Sequence, residues 1–424
     1  MSSERRNVSL LLASMFLNST AALAGVTALG KQVYDLTERE LLLGMLGLAE
    51  FMPALLLVLV TGAVADRFDR RRVTALGVWF EGIVALGLAA YTATEPTAVG
   101  PIFVLVVGYG IARAFVAPSG RSLPADIVPP ERLAWLNART SGAWQCSLVV
   151  GPVLGGTLYA VDAVAPYIAM ALLLGAGGAC VLAIRLDRPQ ADERAAETTA
   201  DQTIAEGVEE LVVPPKTGWR DALEGFRFIR GHRILLGAIS LDLFAVLFGG
   251  AVALLPAIAE ERLGVGSVGL GWLRAAGGIG AAITTAVLAF RPLQRRVGKH
   301  LLAVVAIFGV FSIVLGATRT YWVAFVAMLV LSGADAISVF IRSTLVPLVT
   351  PPEVRGRVLA VENVFIGASN QGGDFESGVA GEVLGAGGAV VLGGIGTLVV
   401  AVGWWFLFPV LRDVDGFPER PIDP

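Results

Sequence analysis

Between residues 8 and 411 the chain is a near-continuous succession of apolar runs. They fall near 8–29, 41–65, 73–94, 99–121, 138–161 and 165–185, then resume near 234–259, 268–291, 300–318, 320–346, 357–382 and 386–411. A helix needs about 20 apolar residues to cross the hydrocarbon of a bilayer. Lipid offers the backbone no hydrogen-bond partners, so spanning segments must be helices or close into a barrel. Barrel strands are ~10 residues long and alternate in polarity, whereas these runs are longer and continuous. The expected fold is an all-α membrane protein of about twelve transmembrane helices in two six-helix bundles. The expected divisions are a bundle over 1–185, a linker over 186–232, a second bundle over 233–411 and a tail over 412–424.

Composition narrows the function classes. The 424 residues are 55% hydrophobic and only 16% charged, against ~25% charged in soluble domains. A net charge of −3 supplies no basic field for nucleic acid. Cys146 and Cys180 sit inside apolar runs, and His232 and His300 are the only histidines. No disulfide framework, metal site or cofactor is expected. Arg5-Arg6, the first apolar run and Ala22-Leu23-Ala24 mimic a signal peptide. The length of the run favours a retained first helix, with cleavage as the alternative. Gly25 to Lys31 nearly matches a phosphate-binding loop, but Gln32 stands where Ser or Thr must hold Mg²⁺. A nucleotide-driven pump or enzyme is therefore rejected.

Loop charge orients the spans. One side collects Arg5, Arg6, the cluster from Arg67 to Arg72, Arg121, Arg132, the 186–232 interval, Arg291, Arg295, Arg296, Lys299, Arg355, Arg357 and Arg412. The other holds Lys31, Arg39, Arg262 and Arg319. The positive-inside rule puts both termini and the linker in the cytoplasm and the protein in the plasma membrane. The linker contains Pro214-Pro215. It ends in Trp219, Leu223, Phe226 and Phe228 among charges, read either as a helix on the membrane surface or as one packed on the protein. The halves also repeat. Arg121-Ser122 leads to Pro129-Pro130-Glu131, and Arg342-Ser343 leads to Pro351-Pro352-Glu353 after the tenth span.

Between the second and third runs lies a dense knot of charge, Gly62-Ala-Val-Ala-Asp66-Arg67-Phe-Asp-Arg70-Arg71-Arg72. It resembles the signature loop of the major facilitator superfamily. The resemblance implies two related six-helix bundles and alternating access. It implies that Gly62 keeps the bundle contact clear and that Asp66 caps the eleventh helix near Arg357, an anion at a helix N-terminus. Arg67, Arg70 and Arg71 complete this latch, Arg70 pairing with Asp126. These contacts would hold the outward-facing state and break on inward opening. Arg113-Ala-Phe115, Leu123-Pro124 and Arg355-Gly356-Arg357-Val358 resemble the enterobactin-exporter-like, drug–proton antiporter branch. Gly151-Pro152 with Gly155-Gly156 is similar to its fifth-helix motif, with Ser147 in place of a glycine, and serves close helix packing. The loop after the eighth span lacks the Asp, so the second-half latch is expected to be weaker.

Charges at bilayer depth are costly and mark transport pathways. In the family the first, fourth, seventh and tenth helices line the cavity, and they carry Asn18, Arg113, Asp242 and Asp335. Arg113 is expected to pair with Asp335 or Asp242, the alternative being a static ion pair between helices. Glu50 joins this set as a proton-pathway candidate. Asp374 and Glu376 are read as solvated at the outer headgroups, and Glu362 and Arg274 are left unassigned. The resemblance implies a monomeric secondary exporter of a small amphipathic molecule, driven by protons. An importer, an uncoupled facilitator and a non-transporting sensor are the alternatives, because fold alone does not set direction.

Overall fold

A computed structural model describes residues 3–186 and 219–418. The first half contains α1 Ser3–Thr37, α2 Glu40–Arg67, α3 Arg70–Thr92, α4 Gly100–Ile127, α5 Pro130–Val161 and α6 Ala165–Ala183. Then come α7 Trp219–Gly231, α8 Arg233–Phe248, α9 Gly266–Phe290, α10 Val297–Ala317, α11 Tyr321–Val349 and α12 Pro352–Leu407. No strand occurs among the described residues. Most of the expected linker lies outside them.

Two spans depart from simple rods. At 1.5 Å per residue, the 56 residues of α12 would extend roughly 84 Å, against ~30 Å of hydrocarbon. The backbone turns at Gly385, with φ 71° and ψ 159°, so α12 holds the eleventh and twelfth spans. Its second arm lies along α10, where Gly309 meets Gly394 and Gly316 meets Gly387. Only glycine adopts that backbone conformation without strain, and other residues pay about 1–3 kcal/mol. Nothing lies within 4 Å of an added Cβ at Gly385 or at Gly403, which has ordinary helical geometry. Gly385→Ala should therefore lower the unfolding temperature in detergent, and Gly403→Ala should not. Equal melting of both variants would remove the assigned strain.

The seventh run, expected as one helix over 234–259, is interrupted. α8 ends at Phe248, the chain unwinds, and a short helix Leu255–Ala257 runs into a π-helical turn Ile258–Arg262. Gly249-Gly250 and Pro256 explain the break. A Cβ on Gly250 would lie 2.3 Å from the Gly373 carbonyl oxygen. Pro256 has no N–H to donate.

α7 bends 107° from α8. It packs on the start of α12, where Arg357 pairs with Glu224 at 2.6 Å and Phe226 stacks edge-on to Phe365. Ile229 is buried while Leu223 and Phe226 remain exposed.

The repeat has a geometric form. α4 and α11 each end in one extended residue, Val128 or Thr350. An extended proline follows, Pro129 or Pro351, and then a helix opening on Pro130 or Pro352. Proline suits that first helical position because its missing N–H would have no intrahelical partner.

The apolar cores show how the halves meet. One core crosses between them at the arginine-poor face, joining Val33 and Tyr34 of α1 and Leu43 of α2 to Leu254, Ile258, Leu270 of α9 and Val390 of α12. At the arginine-rich face there are two separate cores. Leu11, Leu123 and Leu136 belong to the first half, and Leu235, Leu301 and Leu345 to the second. The halves are thus closed at the arginine-poor face and parted toward the other. Phe290, Leu56 and Val383 point outward, as lipid-facing positions do.

Candidate functional site

Lys31 and Arg39 of the arginine-poor face take part in its closure. Lys31 of α1 bridges Asp35 of its own helix and Glu260 of the π-turn, the latter at 3.0 Å. Tyr34 donates to Glu261, and the Tyr159 hydroxyl donates to Asp35 at 2.9 Å. Arg39 pairs with Glu382 at 2.8 Å. Helix backbones meet beside these pairs. A Cβ on Gly44 of α2 would lie 2.5 Å from the Asp374 carbonyl oxygen of α12. On the other seam, a Cβ on Gly156 of α5 would lie 2.3 Å from the Ser267 carbonyl oxygen of α9. Gly151 and Gly155 instead face α1, at Leu23 and Ala24, within the first half. The Pro152 carbonyl faces Gly271. The four motif positions thus divide between packing one half and sealing the two together.

Asp374 is half-buried. It sits on the α2–α12 seam and interacts electrostatically with Arg274 of α9. The Arg274 Nε is buried without a hydrogen-bond partner.

Deeper in each half lies one charge cluster, half-open in the first half and buried in the second. In the first, Arg113 of α4 approaches Glu50 of α2 at 3.4 Å and donates to the Tyr109 hydroxyl at 3.3 Å. Glu81 of α3 is buried nearby and interacts with both Arg113 and Glu50. The Arg113 side chain is 44% accessible. In the second half, Arg342 of α11 binds Asp242 of α8 at 2.7 Å, and both side chains are buried. Asp335 of α11 and Glu362 of α12 complete the group around Arg342. Asp242, Asp335 and Ser338 line a cavity of about 20 Å³.

The expected pairing of Arg113 with Asp335 or Asp242 is therefore corrected. Each arginine finds a carboxylate in its own half, since closure at the far face leaves the cleft between the clusters. Glu81 and Arg342 were missed. Glu81 interrupts the third apolar run and was a readable signal. Arg342 falls near the end of the tenth apolar run, beside a proline-rich turn, and lies inside α11. Asn18 joins neither cluster. It donates to Ser14 at 3.3 Å and is wedged against Gly177 of α6.

The charged knot is only partly described. Gly62 and Asp66 fall in α2, and their side chains lie outside the described residues. Arg67 is exposed. Arg70 contacts both oxygens of Asp126, at 3.2 and 3.3 Å. That pair stays inside the first half and is intact while the arginine-rich face is open, so it does not break on opening there. Asp69, unremarked in the sequence, caps α3 by accepting from the Arg71 N–H at 3.0 Å. The Arg71 guanidinium holds the Asp69 carboxyl below the usual carboxylate range and donates to the Ile184 carbonyl.

Known proteins share this architecture. A nucleoside transporter, NupG, superposes with a TM-score of 0.68 at 14% identity, covering 96% of this chain and 99% of that one. A POT family transporter in complex with 5-aminolevulinic acid superposes with a TM-score of 0.71 at 11% identity, covering 96% of each. At such identities the likeness concerns the fold alone. Among sequences, the multidrug efflux pump Tap of Mycobacterium tuberculosis is 28% identical over 258 residues. That match spans 58% of this chain and only 57% of Tap. The enterobactin exporter EntS of Salmonella typhimurium is 27% identical over 351 residues, or 81% of this chain and 75% of EntS. The family model for the Major Facilitator Superfamily matches residues 8–370. A match over that much of the sequence, on two helical halves meeting along α2–α12 and α5–α9, places this chain in the major facilitator superfamily.

Proposed function

We propose that this chain is a secondary active exporter of small amphipathic molecules, working by alternating access and driven by protons. One observation carries the reading. A single core and a set of ion pairs join the halves at one face, while a charge cluster in each half flanks the cleft that opens to the other. The positive-inside rule makes the open side cytoplasmic, where an exporter loads. On this reading both termini are cytoplasmic and the protein sits in the plasma membrane. Export is further supported by two relatives, the multidrug efflux pump Tap and the enterobactin exporter EntS. A monomer suffices, because the cleft lies between two halves of one chain.

The test is transport by the purified protein in liposomes under an imposed pH gradient, with ethidium and a catecholate siderophore as probes. Gradient-driven accumulation of either probe is expected. Arg113→Ala should abolish it while the protein still reconstitutes. Flux indifferent to the gradient would instead favour an uncoupled facilitator.

A further inference from the structure

We propose that Glu81 of α3 carries the transported proton in the first half, alternating with Glu50 as the carboxylate that faces Arg113. This rests on the proton-coupled reading above.

Glu81 lies eleven residues into α3, roughly 16 Å along its axis, so it sits deep in the span. It is 4% exposed, and no hydrogen bond or ion pair reaches its carboxyl among the described residues. A carboxyl kept for structure at such depth would have a partner. Its charged neighbours come from two helices. α4 brings Arg113 and Tyr109, and α2 brings Glu50. α6 also packs along α3, but Ala165–Ala183 contains no charged residue. Its titratable side chains are Tyr167, bonded to Gln32, and Cys180.

One guanidinium therefore stands near two carboxyls and pairs with only one of them, Glu50. An unpaired carboxylate in an apolar interior is costly and is neutralised by taking a proton. A carboxylate beside a guanidinium is stabilised as the anion. In this structure Arg113 faces Glu50, so Glu81 holds the O–H bond. When Arg113 turns to Glu81, that bond breaks and the proton passes to water. Arg113 stays charged throughout. Glu50 and Tyr109 line a cavity of about 20 Å³, room enough for a water beside the cluster.

Infrared difference spectroscopy across a pH jump tests this on the full-length protein in liposomes. Wild type should show the carbonyl stretch of a buried protonated carboxyl. The band should vanish in Glu81→Gln, return in Glu81→Asp and persist in Glu50→Gln. Glu81→Gln should reconstitute like wild type, with gradient-driven accumulation of ethidium reduced to the level of protein-free liposomes. A band kept in Glu81→Gln and lost in Glu50→Gln would assign the proton to Glu50 and overturn the proposal. Undiminished gradient-driven accumulation in Glu81→Gln would also overturn it. Wild-type ethidium flux without gradient dependence or a carboxyl band would remove the coupling reading itself.

Discussion

Arg342→Ala should destabilise the second half by about 3–5 kcal/mol, the usual cost of leaving a buried charge without its partner. Arg342 and Asp242 are 7% and 6% exposed at 2.7 Å separation, so water can replace little of the lost interaction. The cost is raised by company. Asp335 and Glu362 also depend on this guanidinium, and its removal strands three carboxyls around one site. Removing both charges should be milder, since a buried pair replaced by apolar groups of similar size is often neutral. Thermal unfolding in detergent should therefore rank wild type first, the double variant Asp242→Leu with Arg342→Met next, and Arg342→Ala last. Unchanged melting of Arg342→Ala would mean that the cluster is solvated. Arg39–Glu382 provides the contrast. Arg39 is 52% exposed, and exposed pairs contribute only about 0–1 kcal/mol. Its loss should barely move the melting point.

The second large effect is conformational. Gly156→Leu should prevent closure at the arginine-poor face and hold the protein open there. Its Cβ would lie 2.3 Å from the Ser267 carbonyl oxygen and 3.0 Å from the Gly271 Cα. Both obstacles are backbone, so no side chain can turn aside. Because Ser267 and Gly271 belong to the opposite half, the strain is relieved by separating the halves. Moving a two-state equilibrium from 1:99 to 99:1 takes about 5.5 kcal/mol, within reach of a bulky side chain forced into backbone contact. Gly155→Leu is the control. Its obstacle is Ala24 of the same half, whose carbonyl oxygen would lie 2.4 Å away. It should lower stability without opening the seam. A cysteine at Ser267, probed with a thiol reagent from the arginine-poor side, should become reactive with Gly156→Leu and not with Gly155→Leu. Equal reactivity in both would end the seam assignment.

Much of the fold was legible because burial in lipid imposes a simple rule on sequence. Span after span appeared as an apolar run, and even the turn at Gly385 fell between the runs near 357–382 and 386–411. The break in the seventh span was harder to see. Gly249-Gly250 and Pro256 are common in membrane helices, where neighbouring groups satisfy the freed backbone. The site was legible in its residue types rather than its pairings. Glu50, Arg113, Asp242 and Asp335 stand out as charges in apolar runs. Which carboxylate meets Arg113 depends on how α2, α3 and α4 are rotated against one another, and the hydrophobic pattern constrains rotation weakly when every face is apolar. The same limit hid the seals at Gly44 and Gly156, since glycine in a membrane helix is ordinary until another backbone is seen against it.

The sequence by itself determined that this chain spans a membrane in two related halves, the face that gathers its arginines, and the family signature near Asp66. Those properties follow from hydropathy and charge along the chain, which need no knowledge of contacts. The tertiary structure decided that the halves meet at the arginine-poor face, that Arg113 belongs with Glu50 and Glu81, and that Arg342 is buried with Asp242. These are pairings between residues far apart in the chain, and they exist only once helix rotation and the closure of one face have brought the groups together.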